Sequence, residues 1–236
     1  MENSTNYYKS ISSLYQEISS RRAHYLQSID ELIIESIITP IHNYLDVGAG
    51  DGLRSMIIAE KATPSKIVLL DNCADMFDAR RITNSNVSFI TEDIKYYNSE
   101  IKFDLVTCLW NVFGHVGNIA DRQESLSKIY NLLNDKGLFI IDINNRYNIK
   151  NYSYLEVFKN KLKDFARMKN SGYYPLGQRK DKTQVYIHHP FEFEKMAENV
   201  GFKLLQKKYV NYDSGKIEKT HNDGQLFYVF QKNINI

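Results

Sequence analysis

The sequence predicts an α/β domain on a mostly parallel sheet, and three observations predict it. Between residues 43 and 142, short apolar runs alternate with segments of helical spacing, the pattern of strands joined by crossover helices. Several of those runs are continuously apolar, as strands covered on both faces are. Glycine is clustered: none of the eleven precedes residue 48, and three fall within Gly48–Gly52, directly after the first run.

The elements follow in order. A helical or irregular stretch is expected over Tyr8–Ile18. Leu26, Ile29, Ile33 and Ile37 keep a helical spacing that Pro40 ends, predicting a helix from about Arg22 to Ile38. Tyr44–Val47 reads as a strand, Leu53–Glu60 as a helix, Lys66–Leu70 as a strand and Met76–Arg81 as a helix. Val87–Ile90 and Phe103–Cys108 are two further strands. Leu126, Ile129, Tyr130 and Leu133 mark one apolar helix face, and Gly137–Asp142 is the fifth strand. The pattern breaks after Asp142. Residues 147–181 are rich in Tyr, Asn and Lys and show no strand repeat, predicting an inserted cap. A helix over Phe191–Val200 follows, and Phe202–Val210 with Gln225–Gln231 reads as an antiparallel pair closing the sheet. The expected organisation is a single domain: a helical cover (1–40), a cofactor-binding core (41–146), a cap (147–186) and a C-terminal helix with a strand pair (187–236).

Composition narrows the function classes. The chain has 236 residues, 43% hydrophobic, with 30 Lys and Arg against 28 Asp and Glu, enough for one substantial core. The near-neutral balance argues against a nucleic-acid scaffold. In the run Gln178–Lys182, Asp181 interrupts the charges, so an RNA reading from tyrosine stacking is the weaker one. No run approaches the roughly 20 apolar residues that span a bilayer. The polar start MENSTNYYKS lacks the order of a signal peptide. The expectation is a cytoplasmic chain, monomeric or a homodimer, without a membrane partner. Cys73 and Cys108 lie in core-like stretches, which excludes a disulfide framework.

The strongest site signal is Leu45-Asp46-Val47-Gly48-Ala49-Gly50-Asp51-Gly52, between a strand and a helix. Glycines there let backbone approach a ligand at the carboxyl end of the sheet. A dinucleotide fingerprint needs G-x-G-x-x-G, but Gly52 comes one position early and Leu53 occupies the third glycine position. Asp46 and Asp51 would also repel a pyrophosphate, whereas a sulfonium cofactor tolerates them. Asp71, about 20 residues on, is placed either to accept two ribose hydroxyls or to cap a helix. Asp93 follows the third strand, where an acid can accept from an adenine amino group.

Together these residues resemble the class I S-adenosylmethionine-dependent methyltransferases. Leu45–Gly52 matches the family's glycine motif. Asp71-Asn72-Cys73-Ala74-Asp75-Met76 stands where the family has D-x-S-x-x-M. Glu92-Asp93-Ile94 stands for G-D-A, with the glycine and alanine replaced. The resemblance implies a Rossmann-like seven-stranded sheet, mostly parallel with the last strand antiparallel. It implies S-adenosylmethionine as cofactor and S-adenosylhomocysteine as product. Cofactor contacts are expected from Asp46, Gly48, Ala49, Gly50, Asp71, Asn72, Met76, Glu92, Asp93, Ile94, Cys108, Leu109 and Trp110. An N-terminal tyrosine and a basic residue should fold over the cofactor, and Tyr15 and Arg22 are the candidates.

The segment Cys108–Val116 looks like that of small-molecule N-methyltransferases, namely amino-sugar N,N-dimethyltransferases and glycine N-methyltransferase. His115 falls on their histidine. An imidazole with a reference pKa near 6.5 suits removal of a proton from the acceptor; a purely structural histidine is the alternative. Substrate contacts are expected from Tyr15, Asn111, His115, Asn144 and Arg146. His188 and His189 are adjacent and point to opposite faces of a strand, so no metal site is expected. The expected activity is methyl transfer to a small amine, such as an amino sugar or amino acid derivative. A sugar or secondary-metabolite hydroxyl is the rival acceptor, followed by RNA or protein, and by a non-catalytic cofactor-binding role.

Overall fold

The computed structural model describes residues 4–77, 82–177 and 182–233. The sheet builds outward from β1 (Asn43–Val47). β2 (Lys66–Asp71) and β3 (Val87–Thr91) lie on one side. β4 (Phe103–Cys108) and β5 (Leu133–Ile143) lie on the other. All five are parallel. β10 (Gln225–Lys232) then inserts antiparallel between β5 and β8 (Phe202–Val210), and β9 (Ile217–Glu218) adds an edge. The order is β3-β2-β1-β4-β5-β10-β8-β9, an eight-stranded sheet in place of the seven expected. β9 is two residues long and pairs only with Tyr209 and Val210, too short to leave a periodic trace in sequence.

Alternation along the strands divides the core. Leu45, Val68, Val106 and Phe139 face one layer, beneath α5 (Ile119–Leu132) and α7 (Glu192–Val200). Tyr44, Ile67, Leu105 and Ile140 face the other, beneath α3 (Ala23–Ser36) and α4 (Leu53–Ala62). α3 buries Leu26, Ile29 and Ile33 as its spacing predicts, and truncating one of them to Ala costs about 2–5 kcal/mol. α5 starts at a capping box: Asn118 accepts from the Ala120 and Asp121 amides, and Asp121 accepts from the Asn118 amide.

Three local expectations change. Where a helix over Met76–Arg81 is expected, a single 3₁₀ turn, Ala74–Met76, is present, and residues 78–81 lie outside the described set. β5 begins at Leu133, directly after α5, and passes an irregularity in its pairing with β4. The cap is ordered secondary structure: α6 (Ile149–Phe165), then a hairpin of β6 (Tyr173–Leu176) and β7 (Thr183–Tyr186). Pro175 interrupts the apolar alternation of β6, which hid the hairpin from a periodicity search.

The N-terminal cover consists of α1 (Thr5–Ile11), a 3₁₀ turn at Ser12–Leu14 and α2 (Tyr15–Ser20). None of these three elements contains a fully buried residue. The cover lies over the carboxyl ends of the central strands, where Cys73 Sγ reaches the Thr5 carbonyl at 3.7 Å and Tyr8 reaches His115.

Candidate functional site

The glycine turn leaves β1 with Gly48, Gly50 and Gly52 all at positive φ, between 58° and 74°, a region that L side chains rarely adopt. The Gly48 and Ala49 amides donate to the Leu70 carbonyl, which ties the turn to β2. The Gly50 amide donates to Asp71 Oδ2 at 2.9 Å, and the Cys73 amide to Asp71 Oδ1 at 2.8 Å. Burial raises the Asp71 pKa, and these two amides oppose the rise. A Cβ on Gly50 would stand 3.4 Å from the Tyr15 hydroxyl and 3.6 Å from Met76 Cε. The missing side chain therefore keeps open a cradle between the turn, Tyr15 and Met76. That cradle, with a carboxylate at its side, fits the nucleoside of the cofactor that the sequence resemblance implies.

A cavity of about 240 Å³ opens from this cradle. Its walls bring together Tyr15, Gly48, Gly50, Asp71, Asn72, Met76, Glu92, Asp93, Ile94, Cys108, Trp110, Asn111, His115 and Asn144 from the sequence-predicted set. Asp46, Ala49 and Leu109 line instead an adjoining cavity of about 310 Å³, which shares Tyr15, Gly48 and Trp110 with the first. Asp46 itself is buried, accepting from Ser55 Oγ at one oxygen and from Thr107 Oγ1 at the other, and burial pushes its pKa up to about 6.

The corner after β4 is strained. Trp110 and Asn111 are consecutive residues at φ 53° and 59°, worth about 1–3 kcal/mol each. Asp142 at the end of β5 holds the corner: its Oδ1 accepts the Trp110 amide at 2.7 Å and its Oδ2 accepts the Tyr25 hydroxyl at 2.7 Å. Asn111 Oδ1 accepts the Asn144 amide at 2.9 Å. The indole of Trp110 donates to the Tyr212 hydroxyl at 3.1 Å and lies 5.5 Å from the Tyr15 ring. The corner thus sets Trp110 under Tyr15 and turns the following 3₁₀ turn, Val112–His115, into the cavity.

His115 Nε2 lies 3.0 Å from the Tyr8 hydroxyl, and its Nδ1 is buried with no partner. Burial lowers its pKa to about 4, so the ring is neutral at pH 7.

Two predicted contacts are corrected. Arg22 lines neither cavity; it pairs with Asp213 and lies over the Tyr212 ring at 4.3 Å. The cation beside the glycine turn is Arg54, on the first turn of α4, which lines the second cavity and pairs with Asp30 at 2.6 Å. Arg146 also lines neither cavity. It is buried in a bidentate pair with Asp164, both contacts at 2.9 Å, and donates to the Ile187 carbonyl, so it fastens the cap. His188 is buried between Tyr186 and Phe193. Residues 178–181 of the run Gln178–Lys182 lie outside the described set.

Sequence reasoning missed Tyr7, Tyr8, Arg54 and Tyr212, together with Leu176 and Val185 of the cap hairpin. The only local signal was the pair Tyr7–Tyr8, polar neighbours on both sides, in a segment already expected to fold over the cofactor.

Residues 45–139 match the family described as "Methyltransferase domain". A glycine/sarcosine N-methyltransferase of Halorhodospira halochloris is 29% identical over 116 residues, 47% of this chain and 42% of the relative. A malonyl-[acyl-carrier protein] O-methyltransferase of Ilyobacter polytropus is 33% identical over 103 residues, 41% of this chain and 35% of the relative. The chain thus matches less than half the length of these curated relatives. An S-adenosylmethionine-dependent methyltransferase from Clostridium acetobutylicum superposes with a TM-score of 0.66 at 17% identity, covering 96% of this chain and 99% of that one.

Proposed function

We propose that this chain, whose residues 45–139 match a methyltransferase domain and whose fold matches that of an S-adenosylmethionine-dependent methyltransferase, transfers a methyl group from S-adenosylmethionine to a small amine. The observation that carries the cofactor is the cradle at Gly50, flanked by Tyr15 and Met76 and joined to Asp71 through its own amide. Asp71 has lone pairs left to accept the ribose hydroxyls. Glu92, Asp93 and Ile94 stand at the adenine end, and Arg54 offers a fixed charge to the methionine carboxylate through the second cavity. When bound, the cofactor supplies an electrophilic methyl group on sulfur.

The acceptor end is walled by Tyr8, Asn111, His115 and Asn144. Asp71, Glu92 and Asp93 line the main cavity, and no Lys or Arg does so among the described residues. That balance disfavours an anionic acceptor and suits an amine, whose cationic product can rest against aromatic faces. In the tautomer whose Nε2–H donates to the Tyr8 hydroxyl, neutral His115 can take a proton at Nδ1. A hydroxyl acceptor is the second reading, supported by that same unpartnered Nδ1, because a hydroxyl must lose its proton in the reaction whereas an amine can arrive without one.

Calorimetric titration with S-adenosylmethionine, S-adenosylhomocysteine and NAD tests the cofactor. The first two should bind, and Asp71→Ala should weaken them by about 10- to 100-fold, the loss of hydrogen bonds to a charged group. Binding of NAD alone, or of none, overturns the reading. An acceptor screen beginning with amino sugars follows. His115→Gln should lower turnover by about 100-fold with a hydroxyl acceptor and far less with an amine.

A further inference from the structure

The outer side of α6 carries Tyr154, Leu155, Phe158, Leu162 and Phe165, all between 52% and 90% exposed. Their spacings of three, four and seven residues set them in one stripe. The stripe is not the face that packs on the domain, since α6 buries Val157 and Asn160 instead. Exposed apolar residues normally occur singly, and a continuous row of five marks a surface that meets something.

The charges beside the stripe indicate what it meets. Helical spacing puts Lys159 and Lys163 on one flank and Lys161 on the other, where its ammonium lies 5.3 Å from the centre of the Tyr147 ring; all three residues are exposed. Residues 149–169 hold six basic residues against two acidic ones. Of those acids, Asp164 is turned inward onto Arg146 and Tyr147, and Glu156 is paired with Lys159. Aromatic and leucine side chains flanked by lysine, two on one side and one on the other, are the pattern of a helix that lies in a lipid interface, apolar side down and ammonium groups at the phosphates. A second copy of the chain would bring these like charges together. Tyr154 and Phe165, 78% and 90% exposed, stand out from the helix, a shape that a deformable acyl layer accommodates.

We propose that α6 docks the protein on an anionic lipid surface. Sequence reading expected no membrane partner because no run spans a bilayer; a helix lying in the interface needs no such run. α6 leads into the β6–β7 hairpin, whose Leu176 and Val185 wall the main cavity, so docking brings that wall close to the lipid.

Vesicle flotation of the full chain tests this, with phosphatidylglycerol mixed into phosphatidylcholine against phosphatidylcholine alone. The wild type should float with the anionic vesicles only. Lys159→Gln combined with Lys163→Gln should weaken partition by about 30-fold, and Phe158→Ser combined with Phe165→Ser by at least about tenfold. Both pairs are exposed, so circular dichroism and Tm should match the wild type. Failure of the wild type to float with anionic vesicles overturns the proposal. So does unchanged partition of the lysine variant, or light scattering that finds a dimer which the phenylalanine variant dissociates.

Discussion

Gly48→Ala tests how tightly the turn is built. Gly48 sits at φ +74°, and a Cβ there would stand 2.2 Å from Val112 Cγ1, 2.6 Å from Cγ2 and 2.9 Å from Cβ. Two costs follow. The left-handed conformation costs an alanine about 1–2 kcal/mol, and overlap with Val112 costs about 1–3 kcal/mol. Their sum, about 2–5 kcal/mol, is a large share of a typical stability of about 5–15 kcal/mol. Val112→Ala removes both Cγ atoms and leaves only the contact at 2.9 Å. It relieves most of the overlap and none of the conformational cost. The double variant should therefore be more stable than the two single changes add up to, by about 1–3 kcal/mol. Urea unfolding of the four proteins at matched m values reads this directly, and cofactor titration should show affinity lost in Gly48→Ala and partly restored in the double variant. Additivity within about 0.5 kcal/mol would refute the reasoning, because the turn would then not be leaning on Val112.

Other consequences are as concrete. Arg54→Gln should weaken S-adenosylmethionine binding by about tenfold or more, whereas Arg22→Ala, which breaks an exposed pair with Asp213, should leave affinity unchanged and cost about 1 kcal/mol or less. Asp142→Ala strands two buried donors, the Trp110 amide and the Tyr25 hydroxyl, so thermal or urea unfolding should show a loss of about 3–5 kcal/mol. Asp142→Asn keeps an acceptor and should lose less. Stability should also depend on pH through His115. The unfolded histidine binds a proton near pH 6.5 and the folded one only near 4, so its contribution is complete above about 6.5 and is lost as pH falls toward 4. His115→Gln should flatten that fall by about 3 kcal/mol or less. The slope that remains sums His188, His189 and His221, whose pKa values burial also lowers, against Asp46, whose raised pKa acts in the opposite sense over the same window. An unchanged pH profile in the variant would mean that His115 is not held neutral.

The central fold was legible because burial on both faces leaves a strong mark. β1, β2, β4 and β5 are runs rich in apolar residues, and Ile29 and Ile33 disclose α3 by spacing. The glycine turn was legible because backbone at positive φ selects glycine. Contacts made by tertiary approach were not. Tyr8 and His115 meet across 107 residues, and nothing near either one announces the other. The sequence reading sought the cation in the N-terminal segment and named Arg22; only the docking of α3 against α4, where Arg54 pairs with Asp30, sets Arg54 beside the turn. β9 and the β6–β7 hairpin are too short, or too interrupted, to show a period.

The cover formed by α1 and α2 has no core of its own. Tyr7, Tyr8 and Tyr15 line the cavity, and within the segment Tyr7 and Tyr8 add only one edge-to-face contact with each other, so a ligand in that cavity would complete the packing that residues 5–20 lack. Binding free energy at this site is then partly the free energy of ordering that segment. Amide exchange should follow local opening over residues 5–20 and global unfolding in α3, with added ligand raising protection first in the cover. The residence time of a tight ligand should then respond to substitutions in residues 5–20 as well as to those in the glycine turn.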